Sequence, residues 1–593
     1  MNQQPKPDFK NILLATILSI LIIFGWQYYY AGPAAKRAQD EAAALQQKQQ
    51  VAATLPNAAT VGTIKGRDEV IAATGRVKIA TDQFTGSINL TGAQLDDLKL
   101  NKYLETVDAT SPPVTLLSPA GTTDAYFVEQ GFVAKPGTTA KLPDSKTVWT
   151  APAGATLALD KPLTLSWDNG EGVKFERSFA ISDDYLFTVK ETVSNSGTNV
   201  MQLLPYARVQ RQDTPVIVGN WAAYEGLLGV HNGGLDENKY AALKKSGEPV
   251  SVDSTGGWLG FTDKYWATVL IPDKATKVTN SYKFVTIPNR DAYQADYIGT
   301  EPITVAAGAS TTYEDHIFAG AKNVGLINAI NAKYGFDKFD LMIDWGWFQP
   351  ITKGMFYLLS FVHGLVGNFG IAILIVTVLV KAAVFPLASR GYASMSKMKK
   401  LKPEMDKLKA LYPDDRTKQQ QATMELYKRE KISPLAGCLP VVVQIPVFFS
   451  LYKVILNSIE LRHAPFFGWV HDLSAADPTN IFTLFGLVHW SPPALLAIGV
   501  WPLLMGVTMW IQMRLNPTPD DPVQASMFNW MPVMFTFMMG GYSSGLVIYW
   551  AWSNTLSVIQ QRYIMKKNGT DVDILGNIRE SIPFLKKKPA PSP

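Results

Sequence analysis

One lysine interrupts a long apolar run in the second half of the chain. Residues 369–388 carry a single charge, Lys381. A lysine at the centre of a membrane span costs roughly 2.5–3.5 kcal/mol on insertion scales. Two explanations stay open at this point. The side chain could extend toward the end of the span, about 12 Å away at Ser389, or it could face a water-filled cavity.

Polar side chains in other apolar segments favour the cavity. Thr377 precedes Lys381 by one helical turn, so the two residues share a helix face. Gln444 lies in a second apolar segment, and Ser553 and Gln560 lie in the last one. Three spans that each offer polar groups predict a shared hydrophilic pocket around Lys381.

The sequence gives little support for bond-making chemistry. Residues 541–545 (GYSSG) match the G-x-S-x-G pattern of serine hydrolases, but no histidine follows Ser543 in the chain. The six histidines lack the spacing of a metal site, and the one cysteine excludes an internal disulfide and a cysteine-rich zinc site. We therefore predict no catalytic residue, no metal and no cofactor, and we expect the glycines to form a tight turn.

Composition and charge place these residues in a membrane protein with an external domain. Of 593 residues, 47% are hydrophobic and 18% are charged, against about 25% charged in an average soluble protein. Residues 31–340 have a net charge of −5, and the remainder has +10. Residues 12–30 are apolar and end in bulky aromatic side chains, which predicts an uncleaved anchor (1–31) and not a signal peptide.

The middle of the chain has a different pattern. Residues 32–60 are rich in Ala and Gln and are interpreted as a linker. Short β-rich runs then alternate with Gly, Pro, Asn and Asp, which is typical of an all-β sandwich. With a closing helix at 322–335, the external β domain is predicted to span residues 61–340.

The pattern of the remaining residues predicts a helical membrane domain. Residues 341–368 are predicted to contain an interfacial amphipathic helix. Together with the anchor, five further segments make six predicted spans: 369–388, 435–456, 494–513, 528–540 and 546–559.

Basic residues predict the orientation of these spans. Residues 389–434 hold 12 Lys and Arg against six acids, and the tail from Arg562 holds seven against three. The positive-inside rule therefore places residues 389–434, the tail and both termini in the cytoplasm. Residues 389–434 are predicted to form a helical hairpin. Apolar residues recur every three or four positions along its first arm and form a methionine stripe: Met395, Met398, Leu401, Met405, Leu408 and Leu411. This stripe is either the seam of the hairpin or an adaptable surface for apolar clients.

Several motifs in order resemble the YidC membrane-protein insertase family, whose relatives include the Oxa and Alb insertases. The resemblance is close over residues 345–565 and fits the long Gram-negative form, whose external domain is a β-supersandwich. It rests on these segments: 367–370 (GNFG), 385–387 (FPL), 394–402 (SMSKMKKLK), 434–440 (PLAGCLP), 444–446 (QIP), 461–473 (LRHAPFFGWVHDL), 531–532 (MP), 544–546 (SGL), 553–554 (SN) and 560–561 (QQ).

The resemblance implies a membrane α-helical fold of six transmembrane helices. A five-helix insertase core (369–565) would follow the β-supersandwich-like domain, and a basic cytoplasmic tail (566–593) would follow the core. Lys381 would be the positive centre of a client groove. The family usually has arginine there, so the planar five-donor group is lost. Residues 481–493 look like an insertion. The other implied groove residues are Thr377, Gln444, Phe448, Tyr549, Trp550 and Ser553.

The implied function is non-enzymatic insertion and folding of nascent inner-membrane proteins, alone or with the Sec translocon. Ribosomes and targeting factors would meet the hairpin and the tail, and membrane lipid would receive the client. The implied location is the bacterial inner membrane, with the large domain in the periplasm. Two alternatives are a solute transporter, for which no inverted repeat is visible in the sequence, and an envelope-binding protein held by its spans.

Overall fold

The computed structural model describes residues 64–569 apart from 139, 216–222, 288–289, 414, 431–438, 487, 489, 491–497 and 516–521. The predicted anchor (1–31), the linker (32–60) and nearly all of the predicted tail (566–593) lie outside the described residues.

Two β-sheets build the domain that precedes the long helices. Within the described residues, the strands are β1 Arg76–Ala80, β2 Phe84–Asn89, β3 Gln94–Leu104, β4 Pro113–Leu117, β5 Tyr126–Ala134, β6 Thr156–Leu157, β7 Leu163–Asp168, β8 Val173–Ile181, β9 Leu186–Asn195, β10 Met201–Gln212, β11 Gly226–His231, β12 Gly234–Asn238, β13 Val250–Thr255, β14 Trp258–Thr262, β15 Trp266–Ile271, β16 Lys277–Ile287, β17 Arg290–Gly299, β18 Ile303–Val305 and β19 Ser310–Ala321.

The sheets are mostly antiparallel and face each other. The larger one has the order β13-β16-β17-β10-β5-β3-β2-β1-β6, with β18 beside β10 and β4 beside β3. The smaller one has the order β12-β11-β14-β15-β19-β9-β8-β7. Strand β8 buries every second side chain, as expected of a strand with one face on a core. The rings of Phe84 and Phe187 meet across the sheets at 5.3 Å, so the predicted all-β sandwich is confirmed.

A buried polar cluster also joins the two sheets. Asp315 of β19 accepts hydrogen bonds from Gln130 Nε2 at 2.7 and 2.8 Å and from the hydroxyl of Tyr297. Arg177 and Glu191, both on the smaller sheet, form a buried ion pair at 3.0 Å. Since buried polar groups are costly unless they are paired, this cluster fixes how the two sheets are placed against each other.

The helices follow the sandwich along the chain. Within the described residues they are α1 Arg67–Ala72, α2 Tyr240–Ser246, α3 Val324–Tyr334, α4 Gln349–Val366, α5 Phe369–Leu411, α6 Arg416–Arg429, α7 Leu439–Asn457, α8 Val500–Leu515, α9 Pro522–Met539 and α10 Ser544–Lys567. The predicted closing helix is α3, whose N-cap Asn323 accepts a hydrogen bond from the backbone of Leu326.

Polar contacts tie the sandwich to the long helices. Asp344, just before α4, accepts a hydrogen bond from Lys453 Nζ of α7 at 2.6 Å and from the backbone N–H of Tyr224 at 3.0 Å. Glu460, just after α7, accepts one from the backbone N–H of Val324 at 3.0 Å. The end of α7 therefore lies against the sandwich.

Helix α4 is apolar on two faces. Met355, Phe356 and Leu359 are buried against the protein, whereas Phe361 and Leu365 are 67% and 72% exposed. A helix at a membrane surface needs an apolar outer face of this kind. The prediction of an interfacial helix in residues 341–368 is consistent with this pattern and stays a prediction.

Helix α5 contains both the predicted span 369–388 and the first arm of the predicted hairpin. It is continuous for 43 residues, about 64 Å at 1.5 Å per residue. It has no break at 389, and both Pro386 and Pro403 lie inside it. The start of the hairpin is therefore a change in composition and not a helix end.

One described helix segment is long and apolar enough to cross a membrane, namely Phe369–Met398 of α5. Helices α8 and α9 have only 16 and 18 described residues, and α10 carries many polar side chains. The described residues thus support a helical region after the sandwich, and the six spans stay a prediction.

The methionine stripe of the hairpin is divided between two neighbours. Met395 is buried in a cluster with Ala388 and Tyr392 of α5 and Ile564 of α10. Farther along α5, Met405 accepts a hydrogen bond at Sδ from the hydroxyl of Tyr427 of α6, at 3.5 Å. Met395 therefore contacts α10, and Met405 contacts the second arm of the hairpin.

Candidate functional site

Lys381 lies in the interior of the helical region and bonds to α10. Its Nζ donates to Ser557 Oγ at 2.8 Å, and Ser557 donates in turn to the carbonyl oxygen of Ser553 at 2.8 Å. Gln560 Nε2 lies 3.4 Å from the backbone carbonyl oxygen of Lys381. Among the described residues, no carboxylate forms an ion pair with Lys381. The ammonium group of Lys381 is therefore hydrogen-bonded to a neutral hydroxyl.

A small cavity of about 20 Å³ opens beside this lysine. Its lining comes from three helices and combines one cation and two amide side chains with apolar groups. The lining residues are Val380, Lys381, Val384, Ala388, Tyr392, Gln444, Val447 and Gln560. The three helices are α5, α7 and α10, which are the three segments whose polar residues predicted a shared pocket.

An aromatic group borders the cavity at Gln444. Gln444 Nε2 donates to the hydroxyl of Tyr549 at 2.5 Å. Phe448, one turn after Gln444, packs against Trp550 with ring centroids 4.9 Å apart and against Tyr549 at 6.4 Å. The structure therefore brings together Gln444, Phe448, Tyr549 and Trp550 as a surface that is polar at one end and apolar at the other.

Of the seven predicted groove residues, Lys381 and Gln444 line the cavity and the other five do not. Thr377 is buried, and its hydroxyl donates to the carbonyl oxygen of Ile373 at 2.6 Å. Ser553 is also buried, and its contribution to the site is the carbonyl oxygen that holds Ser557. Thr377 lies four residues before Lys381, and Ser553 is linked to Lys381 through two hydrogen bonds by way of Ser557, so the effect of both residues on Lys381 is indirect.

The sequence reasoning missed Ser557, Tyr392 and Val384. A signal for Ser557 was present, since it follows Ser553 by four residues and so shares its helix face. Val384 and Ala388 follow Lys381 by three and seven residues on the face that lines the cavity. Nothing in their residue types distinguishes them from the lipid-facing residues of the same helix.

The GYSSG motif lies at a turn between helices. Helix α9 ends at Met539 and α10 begins at Ser544, so a strand–turn–helix elbow is not formed. The backbone N–H of Ser544 instead donates to Ala475 O at 2.6 Å, and Gly545 lies so close to Leu473 O that a side chain would crowd it. No group of three His, Cys, Asp or Glu able to hold a metal occurs among the described residues.

Comparisons with known proteins agree with the motifs. The family model described as YidC periplasmic domain matches residues 76–358, and the one described as 60Kd inner membrane protein matches residues 361–571. These ranges adjoin within α4.

Relatives match nearly the whole chain. The membrane protein insertase YidC of Bradyrhizobium diazoefficiens is 47% identical over 96% of this chain and 98% of its own. The one of Mesorhizobium japonicum is 49% identical over 98% and 99%. A crystal structure of an active YidC insertase is 18% identical over 81% of this chain and 90% of its own, with a TM-score of 0.33 that is too low for comparing the folds. The chain belongs to the YidC family of membrane protein insertases.

Proposed function

We propose that this insertase receives polar segments of nascent inner-membrane proteins in the cavity beside Lys381 and releases their apolar spans into lipid. The observation that carries the proposal is a lysine that is held by Ser557 and, among the described residues, has no carboxylate partner. An ammonium group has three donors, and Ser557 uses one of them. Acidic residues of a client would supply the missing negative charge.

The cavity shortens the apolar path that a client must cross. Its polar lining gives a translocating segment hydrogen-bond partners inside the helical region, where an unsatisfied polar group costs several kcal/mol. The client span is then favoured in lipid by about 25 cal/mol per Å² of apolar surface removed from water. Phe448 and Trp550 would form the apolar side along which the span leaves. No bond is made or broken in this scheme.

The rest of the molecule is assigned to supporting roles. The anchor and five core spans would fix the chain in the inner membrane, with the sandwich in the periplasm and both termini in the cytoplasm. The basic hairpin, residues 389–434, and the tail would meet ribosomes or targeting factors. The Sec translocon is a candidate partner for larger clients. The family assignment favours insertion over the transporter and envelope-binding alternatives.

Photo-crosslinking from α7 tests where the client lies. A photoreactive residue would replace Val447, which lines the cavity, or Val442, which is 56% exposed on another face of the same helix. We expect a ribosome-bound client to crosslink several-fold more at position 447 than at position 442. Equal crosslinking at both positions would contradict a client path through the cavity.

A further inference from the structure

The loop between α7 and α8, residues 458–499, lies on the side of the helical region that contacts the sandwich. Arg462 Nη2 donates to the carbonyl oxygen of Leu104, in the sandwich, at 2.6 Å. Glu460 accepts a hydrogen bond from Val324, at the start of the closing helix. These contacts place the loop at the outer ends of the helices.

Three helix starts hold this loop in place. Asn368 Nδ2, at the start of α5, donates to the carbonyl oxygen of Pro465 at 3.3 Å. The backbone N–H of Trp501, in the first turn of α8, donates to Asp477 Oδ2 at 2.9 Å. At the start of α10, Ser544 donates to Ala475. Because the apolar span of α5 begins at Phe369, the loop lies level with the outer end of that span.

Residues 481–490 of this loop (IFTLFGLVHW) contain no Asp, Glu, Lys or Arg. Four of their apolar side chains are well exposed: Phe482 at 39%, Leu484 at 55%, Val488 at 44% and Trp490 at 45%. Single exposed apolar residues are common, but a cluster of this kind marks an interaction surface. The backbone of Leu484 has a φ of +47°, a left-handed conformation that is uncommon for a bulky side chain.

Three polar groups of the described part of the segment form hydrogen bonds inside the loop. Trp490 Nε1 donates to Phe482 O at 2.9 Å, and the backbone N–H of Val488 donates to Thr483 O at 2.9 Å. The backbone N–H of Phe482 donates to Asn480 Oδ1 at 2.8 Å. Irregular backbone is tolerated next to hydrocarbon only where its hydrogen bonds are made by the protein. This segment meets that condition at these positions.

We propose that Phe482, Leu484, Val488 and Trp490 form an interfacial anchor that inserts into the outer leaflet of the membrane. The occupant of this apolar surface is lipid, because the loop that carries it is held by the starts of α5, α8 and α10, level with the end of the apolar span. Phe467 of the same loop is also 60% exposed. Aromatic side chains and an uncharged segment suit the boundary between headgroups and acyl chains.

Spin labels in liposomes test this proposal on the full chain. In a Cys438→Ser background, a label at Leu484→Cys or Val488→Cys would be compared with two controls. Met534→Cys is 59% exposed on α9, and Val107→Cys is 54% exposed in the sandwich. The measured quantity is the ratio of collision rates with oxygen, which concentrates in lipid, and with a water-soluble nickel complex. We expect the ratio at 484 and 488 to match position 534 and to exceed position 107 several-fold.

Labels at 484 and 488 that match position 107 in liposomes of the purified chain would overturn the proposal. That result would leave a partner protein as the occupant of the surface. Trp490→Phe gives a second measurement without a label. Lipids brominated near the headgroup should quench the fluorescence of the unchanged chain more than that of this variant. Equal quenching of the two would also overturn the proposal.

Discussion

Lys381 combines a fixed position with a charge that the described residues leave unneutralised. Its Nζ is held by Ser557, which is itself held by the carbonyl oxygen of Ser553. A buried ion pair would have neutralised the lysine and removed it from any exchange with a client. A neutral hydroxyl orients the ammonium group and leaves its charge in place.

Replacing Ser557 tests this orienting role. We expect Ser557→Ala to reduce insertion of a client with an acidic tail by roughly fivefold, equivalent to about 1 kcal/mol for one lost hydrogen bond. Ser557→Thr should restore insertion, because it returns a hydroxyl on the same carbon. The rate of insertion into liposomes is the measurement. A merely structural role for Ser557 would lower insertion of acidic and neutral clients equally.

Asp315 in the sandwich gives a pH dependence with a defined sign. Burial between the sheets raises the pKa of Asp315 to about 7, and the negative charge of Glu191 adds to the shift. The folded state therefore binds one more proton than the unfolded state between about pH 4 and pH 7. The contribution of Asp315 to the free energy of unfolding falls as the pH rises through this range, by roughly 1 kcal/mol per pH unit.

Asp315→Asn should remove this dependence, because an amide stays neutral. We expect the unchanged sandwich to lose more stability between pH 5 and pH 7.5 than the variant does. Denaturant unfolding of the solubilised chain, followed by circular dichroism of the strands, measures the difference. The same loss in both chains would show that Asp315 does not titrate in this range.

At the scale of elements, the hairpin is held by few contacts. Leu426 of α6 is only 4% exposed, whereas Met424, two residues earlier, is 47% exposed. An ion pair between Arg429 and Glu404 joins the arms at 3.1 Å, but both side chains are more than half exposed, so it contributes little. Packing of Leu426 should therefore hold α6 in place.

Leu426→Ala should loosen α6 by about 2 kcal/mol or more, the usual cost of removing a buried leucine side chain. Met424→Ala is the matched control and should have little effect. Hydrogen exchange of the amides in Arg416–Arg429 measures the opening of the helix. Equal exchange rates in the two variants would mean that Leu426 does not anchor the arm.

Strands and helices could be predicted from the sequence better than their boundaries and the contacts between them. Alternating strand residues and the apolar run of α5 are local patterns, and both were recognised. Charge and hydropathy change at 389, yet α5 continues past Pro386 to Leu411, so a change in composition does not locate a helix end. Sheet order depends on pairs distant in the chain, such as β5 with β10, which no local pattern specifies.

At the scale of the whole molecule, the cavity depends on long-range contacts. Lys381 and Ser557 are 176 residues apart in the chain. The lysine itself could be predicted because its charge is unusual in an apolar run, whereas serine in a helix is ordinary. Thr377 shares the face of Lys381, yet its hydroxyl bonds back to Ile373. Residue type and periodicity indicated which helices meet but not which atoms face the cavity.

The sandwich and the helical region also form one connected unit. Asp344 links α7 to the sandwich, and Arg462 links the loop between α7 and α8 to the sandwich. These contacts hold the sandwich against the end of the helical region that carries the loop between α7 and α8. Helix α7, which lines the cavity beside Lys381, is therefore also held by contacts with the sandwich.

The most direct test of the proposed role of Lys381 is to move its positive charge within the cavity. Purified chains in liposomes would insert a single-span client whose short tail carries either aspartates or asparagines. Lys381→Met should slow insertion of the aspartate client by about tenfold, equivalent to 1.4 kcal/mol, and should change the asparagine client little. Lys381→Arg should insert normally, since it keeps the charge.

The decisive variant combines Lys381→Met with Val384→Lys, because Val384 lines the same cavity one turn away. We predict that this relocated lysine restores insertion of the aspartate client. Insertion of that client by Lys381→Met at the rate of the unchanged chain would contradict the proposed function and remove the positive charge from the mechanism.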